Sequence, residues 1–168
     1  MLRENERGLT LLELITVISI IGILAISLGY SFAGWQGNYR IERETKQIFS
    51  DIMDARVRAL TVHRDHFILF DTTGYATYDD TFPPPDGNAI LEKDRDACIQ
   101  QKTLDEYKLK NAGVSKLPIT FNIDTRGLIY PQRDIRIVHA QNPDYDCLAI
   151  TKARIRMAKF NGSKCIDK

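Results

Sequence analysis

Residues 7–28 read RGLTLLELITVISIIGILAISL, and the interpretation of this stretch decides the fold. From Leu9 to Leu28 it carries one charge, Glu13. About twenty helical residues, each rising about 1.5 Å, are enough to cross the hydrocarbon core of a bilayer. Only Thr10, Glu13, Thr16, Ser19 and Ser27 interrupt the run, too few to supply the polar face of a helix in a soluble protein. A secretory signal peptide has a shorter apolar run and a cleavage site beyond it. Here the run is long and leads through GYSFAGWQGNYR (29–40) into another helical pattern. The sequence therefore predicts a transmembrane helix over 9–28.

The 168-residue chain has room for one globular domain beside that helix. Its 43% hydrophobic and 27% charged residues, with a net charge of +1, average two unlike parts. No internal repeat is present, and TFPPPDGN (81–88) is the one proline run.

A charged octad, MLRENERG, ends in Gly8, and the apolar run begins at once with Leu9. A carboxylate within a membrane segment costs a few kcal/mol on insertion scales, so Glu13 needs a partner, and its own helix offers no nearby cation. Cutting the chain after Gly8 would create an α-amino group at Leu9 that an assembled neighbour could present to Glu13. Gly8 followed by LTLLELI resembles the class III signal of type IV pilins and type II secretion pseudopilins. In that family a prepilin peptidase cleaves after the glycine and N-methylates the new first residue, most often phenylalanine, where this chain has Leu9. The resemblance implies a cytoplasmic leader 1–8, cleavage between Gly8 and Leu9, and a role for Glu13 in subunit docking. The implied partners are the prepilin peptidase, other pilins or pseudopilins and an inner-membrane assembly platform. The implied location is the inner membrane, crossed once, with the C-terminal domain in the periplasm before assembly into a periplasmic or cell-surface filament.

After the span, Ile41, Thr45, Ile48, Phe49, Ile52, Ala55, Ala59 and Leu60 recur at three- and four-residue intervals and predict one buried helix face. Arg40, Glu42, Arg43, Glu44, Lys46, Asp51, Asp54 and Arg58 are expected to face solvent or neighbouring subunits. Gly29, Gly34 and Gly37 at the join favour a bend or local unwinding. Beyond residue 63 the period shortens: HFILF, YATY, LPITFNI, LIYP, DIRIVHA and DCLAITKARIRMA read as antiparallel strands, with turns at Thr73-Gly74 and Arg126-Gly127. TFPPPDGN is a surface loop, because three prolines remove backbone donors. In Ala89–Lys116, LEKDRDACIQQ reads as a helical turn and TLDEYKL fits either state. The expected fold is α+β: a helix over 9–62, transmembrane then amphipathic, packed on an antiparallel sheet in a 63–168 domain.

DARVRALTVHRDHFILF, ITFNIDTRGLIY and DCLAITKARIRMAKF resemble the GspH/FimT family of minor pilins and pseudopilins. That resemblance implies a minor subunit in the initiating or tip complex of a type IV pilus or type II secretion filament. The chain has no phosphate-binding loop, so an ATPase elsewhere would do the work of extraction. The family's members that capture DNA carry Gly-Arg-x-Arg near the C-terminus, and here Ala153 replaces the glycine. Arg154 and Arg156, alternating as strand neighbours do, together with Lys159 and Lys164, are the candidate DNA contacts. A solvated strand face is the competing reading.

Cys147 and Cys165 flank the last strands; joined, they close a loop worth about 3 kcal/mol. Cys98 would be left over, and other pairings stay open. His63 and His66 lack companions for a metal site and suit a polar helix end. Asp79, Asp80 and Asp86 lie near a loop without the alternating oxygen pattern of a calcium site. No nucleophile, base and orienting acid are suggested by spacing, so the sequence predicts no enzyme, no metal and no cofactor.

Overall fold

The structure is a computed structural model describing residues 10–85, 87–113 and 116–167, with 27–33 described by backbone alone. Gly8, Leu9, Asp86 and Lys168 lie outside the described residues. Among the described residues one helix, α1 (Leu11–Val62), is followed by ten strands: β1 (His66–Asp71), β2 (Gly74–Asp79), β3 (Ala97–Thr103), β4 (Lys108–Asn111), β5 (Ile119–Ile123), β6 (Ile129–Tyr130), β7 (Arg133–Val138), β8 (Cys147–Ile150), β9 (Ile155–Phe160) and β10 (Cys165–Ile166). The three glycines do not interrupt the helical assignment of α1. The chain divides into two compact units, Met1–Gly37 and Asn38–Lys168.

In the second unit the helical period decides what is buried. Ile41, Thr45, Ile48, Ile52, Ala55 and Ala59 are each at most 2% exposed, and Phe49 packs beside them. Leu60 departs from the expectation at 43% exposed, because it follows Ala59 by one residue and so rotates about 100° off the buried stripe. Its side chain lies instead near the Gly127 turn, where φ is +72° and a Cβ would stand 3.3 Å from the Leu60 methyl.

The strands form two five-stranded antiparallel sheets rather than the one expected, in the orders β3-β2-β1-β5-β6 and β10-β9-β8-β7-β4. A single core joins them to the helix: Ile48 and Ile52 from α1, Phe70 and Phe121 from the first sheet, Ile135 and Leu148 from the second. Phe70 stacks at its edge on Phe121, with ring centres 5.5 Å apart and planes at 84°. The β1–β2 hairpin turns at Thr72-Thr73, one residue earlier than expected, and Gly74 opens β2 opposite Thr103.

The 89–116 stretch holds no helix among its described residues; it supplies edge strands to both sheets, β3 to the first and β4 to the second. Its approach, the loop 80–96, is fastened by two buried carboxylates. Asp80 accepts the Asn88 and Ala89 N–H groups at 3.2 and 2.6 Å, and Asp96 accepts those of Thr81, Phe82 and Glu92.

Asp51, expected to face solvent or a neighbour, anchors the helix to the first sheet. Its carboxylate accepts from Tyr75 Oη at 2.5 Å, Lys102 Nζ at 2.8 Å, Gln47 Nε2 at 2.9 Å and Gln100 Nε2 at 3.1 Å. Burial works to raise this carboxyl, but the bonds from Lys102, Tyr75 and Gln47 and the lysine charge outweigh it and hold the group below the ordinary 3.8. Burial and the adjacent carboxylate push the Tyr75 phenol upward, so it stays a donor.

Candidate functional site

α1 begins where a side chain can replace the missing helical partner. The Glu13 N–H lies 3.3 Å from Thr10 Oγ1, and the Leu14 N–H donates to the Thr10 carbonyl at 3.2 Å. Thr10 is thus the N-cap and Glu13 the third helical residue, the arrangement a Thr-x-x-Glu sequence favours. Glu13 also places its negative charge at the positive end of the helix dipole. The Thr10-Leu11-Leu12-Glu13 spacing carries this signal, which a reading of Glu13 as a docking group alone passes over.

Beyond the cap the described side chains are apolar and exposed. Leu11, Leu12, Leu14, Ile15, Val17, Ile18, Ile20, Ile21, Ile23, Leu24 and Ile26 are between 46% and 77% exposed. Those positions cover the whole helix circumference, so the apolar surface is not confined to one face. Thr16 and Ser19 turn their hydroxyls back to the Glu13 and Ile15 carbonyls at 2.9 and 2.8 Å, leaving the surface more apolar than the sequence suggests. Among the described residues no helix is long and apolar enough to cross a membrane.

The four candidate DNA contacts do not share one environment. Arg154 precedes β9 and is exposed; Arg156, within β9, is half-buried and ion-paired with Asp167. Lys159 donates to Asn142 Oδ1 at 2.6 Å. Lys164 sits in the β9–β10 turn and lines a cleft of about 330 Å³ with Arg133, Thr151 and Ser163. Nearby, the turn before β9 is tied to α1 by Arg56 Nη1 donating to the Ala153 carbonyl at 2.9 Å.

Cys147 and Cys165 are paired as a disulfide with Cα atoms 5.9 Å apart, and Cys98 on β3 is free and exposed. His63 closes the helix in the left-handed region at φ 53°, while His66 is 1% exposed in β1, its Nδ1 facing the Arg64 carbonyl at 3.1 Å. Asp79 pairs with Arg64 at 3.0 Å. Asp80 meets Glu92 and Asp96, not Asp79, with the three carboxylate oxygens within 4.8 Å of one another. Burial, assisted by the Asp96 charge, raises the Asp80 carboxyl despite its two backbone bonds. This trio staples a loop: both oxygens of Asp80 and of Asp96 accept N–H groups, Glu92 Oε1 accepts from Asn88 Nδ2, and Glu92 Oε2 is buried with no hydrogen-bond partner.

Residues 3–29 match the prokaryotic N-terminal methylation motif, the type IV prepilin-like signal. No curated protein and no solved structure matches the chain.

Proposed function

We propose, from a chain whose first residues form a type IV prepilin-like signal, that this protein is a minor pilin or pseudopilin. It enters a type IV pilus or type II secretion filament, within the initiating or tip complex. The observation that carries this reading is the methylation motif running directly into a helix whose apolar side chains are exposed on every side.

In this account prepilin peptidase removes residues 1–8 and methylates Leu9, while 9–28 holds the chain in the inner membrane with the rest in the periplasm. The helix later leaves lipid for the company of neighbouring helices, an exchange between two apolar surroundings that costs little. Glu13 is the exception, a charge in apolar surroundings, and the methylated amine of an adjoining subunit offsets it. The disulfide between Cys147 and Cys165 fits an oxidising compartment. DNA capture by the C-terminal strand has less behind it, because Arg156 and Lys159 are engaged by Asp167 and Asn142.

Glu13→Gln separates the docking role from helix capping, since it keeps the N–H that bonds Thr10 and removes only the charge. The expected result is normal membrane insertion with loss of the subunit from sheared filaments. Equal incorporation of Glu13→Gln and the unaltered chain would remove Glu13 from the mechanism.

A further inference from the structure

The loop joining β7 to β8, residues 139–146, grips the helix at three points. The Asn142 N–H donates to Asn38 Oδ1 at 3.2 Å, the Asp144 N–H to Glu42 Oε1 at 2.9 Å, and Thr45 Oγ1 to the Tyr145 carbonyl at 3.4 Å. The loop opens with His139, its side chain 7% exposed. Its Nδ1 lies 3.0 Å from the Gln141 carbonyl oxygen, and its Nε2 lies 2.9 Å from Asp146 Oδ2. Asp146, 8% exposed, is itself fixed by the Phe160 N–H on Oδ1 at 2.7 Å.

A carbonyl oxygen and an ionised carboxylate only accept, so both ring nitrogens of His139 face acceptors. Neutral imidazole has one N–H and can satisfy one of them; imidazolium has two and satisfies both. The Gln141 carbonyl and the Asn142 N–H belong to the same rigid peptide unit. That unit is therefore held from one side by His139 and from the other by Asn38 of the helix.

We propose that His139 is a proton-dependent clamp on the attachment of this loop to α1. With both ring protons it fixes the Gln141–Asn142 peptide against Asn38. Losing the Nδ1 proton leaves a lone pair facing the Gln141 carbonyl, and the peptide turns away. The proton at Nε2 stays, because it faces the Asp146 carboxylate. The charged groups the loop carries or touches are Asp144 and Asp146 themselves, Glu42 on α1, which accepts the Asp144 N–H, and Lys159 on β9, which donates to Asn142.

The test uses the full chain in detergent micelles with ¹⁵N-labelled histidine, at about pH 5 and about pH 8. The expected spectra show both His139 ring nitrogens protonated at the lower pH and only Nε2 at the higher. Exchange of the Asn142 amide, corrected for its intrinsic pH dependence, should accelerate about fivefold on going up. His139→Gln should abolish that pH dependence, whereas Asn38→Ala should expose the Asn142 amide at both values and leave the ring protonation unchanged. A neutral ring at both values, equal protection at both, or an unchanged pH dependence in His139→Gln would each overturn the clamp.

Discussion

Replacing Asp51 with alanine removes the acceptor of four hydrogen bonds, from Tyr75, Lys102, Gln47 and Gln100. The carboxylate is only 12% exposed, so the lost bonds are poorly replaced: Tyr75, 5% exposed, loses its acceptor, while the Lys102 side chain, 35% exposed, is partly rehydrated. Bonds to a charged group contribute about 1.5–3 kcal/mol each when counted singly, but four bonds to one carboxylate do not add. A net loss of about 2–3 kcal/mol is expected, and at about 4 °C per kcal/mol the melting temperature falls by roughly 8–12 °C. Asp51→Asn keeps the shape and part of the bonding, and should lie between the two. The pH dependence follows from the same group. Its folded-state value is depressed, so its contribution is present above the ordinary 3.8 and is lost as the pH falls below it. The assay is thermal unfolding followed by far-ultraviolet circular dichroism of the full chain in detergent, near neutral pH and below pH 3.8. Equal melting of Asp51→Ala and the unaltered chain near neutral pH would refute the anchoring role. An undiminished difference well below 3.8 would refute the assignment of the effect to the charge.

Two further substitutions test the sheets. Cys147→Ser with Cys165→Ser removes a cross-link spanning 18 positions and should cost about 3 kcal/mol in denaturant unfolding, whereas Cys98→Ser, at an exposed thiol, should cost nothing measurable. Gly74→Ala drives a Cβ into the Lys102 backbone carbonyl and must part β2 from β3; a loss of about 2 kcal/mol and faster exchange of the β3 amides are expected, measured by denaturant unfolding and hydrogen exchange.

The buried helix face was legible because six residues from Ile41 to Ala59 keep a strict helical interval, and burial follows interval. Leu60 misled because an apolar residue next to a stripe is indistinguishable by composition from one within it. Asp51 misled for the converse reason: a charge beside the stripe reads as solvent-facing, and only the later strands reveal the tyrosine and lysine that meet it. The two strands within 89–116 left little trace. β3 lies at a sheet edge with most residues exposed, and β4 alternates over only four residues, so neither shows a sustained period of two. The second sheet was hidden because strand spacing gives the number of strands but not how they divide. At the candidate site the N-terminal motif was legible, as the match over residues 3–29 bears out, whereas the unlike surroundings of Arg154, Arg156, Lys159 and Lys164 depend on Asp167 and Asn142, whose proximity no spacing announces.

A filament subunit made as a precursor has its N-terminus set by prepilin peptidase. Intact-mass and N-terminal analysis of the protein from cells with and without their prepilin peptidase tests it most directly. The account predicts a chain beginning at methylated Leu9 when the peptidase is present and at Met1 when it is absent. A chain that keeps residues 1–8 in both, or is cut elsewhere, would contradict it and leave an ordinary anchored domain.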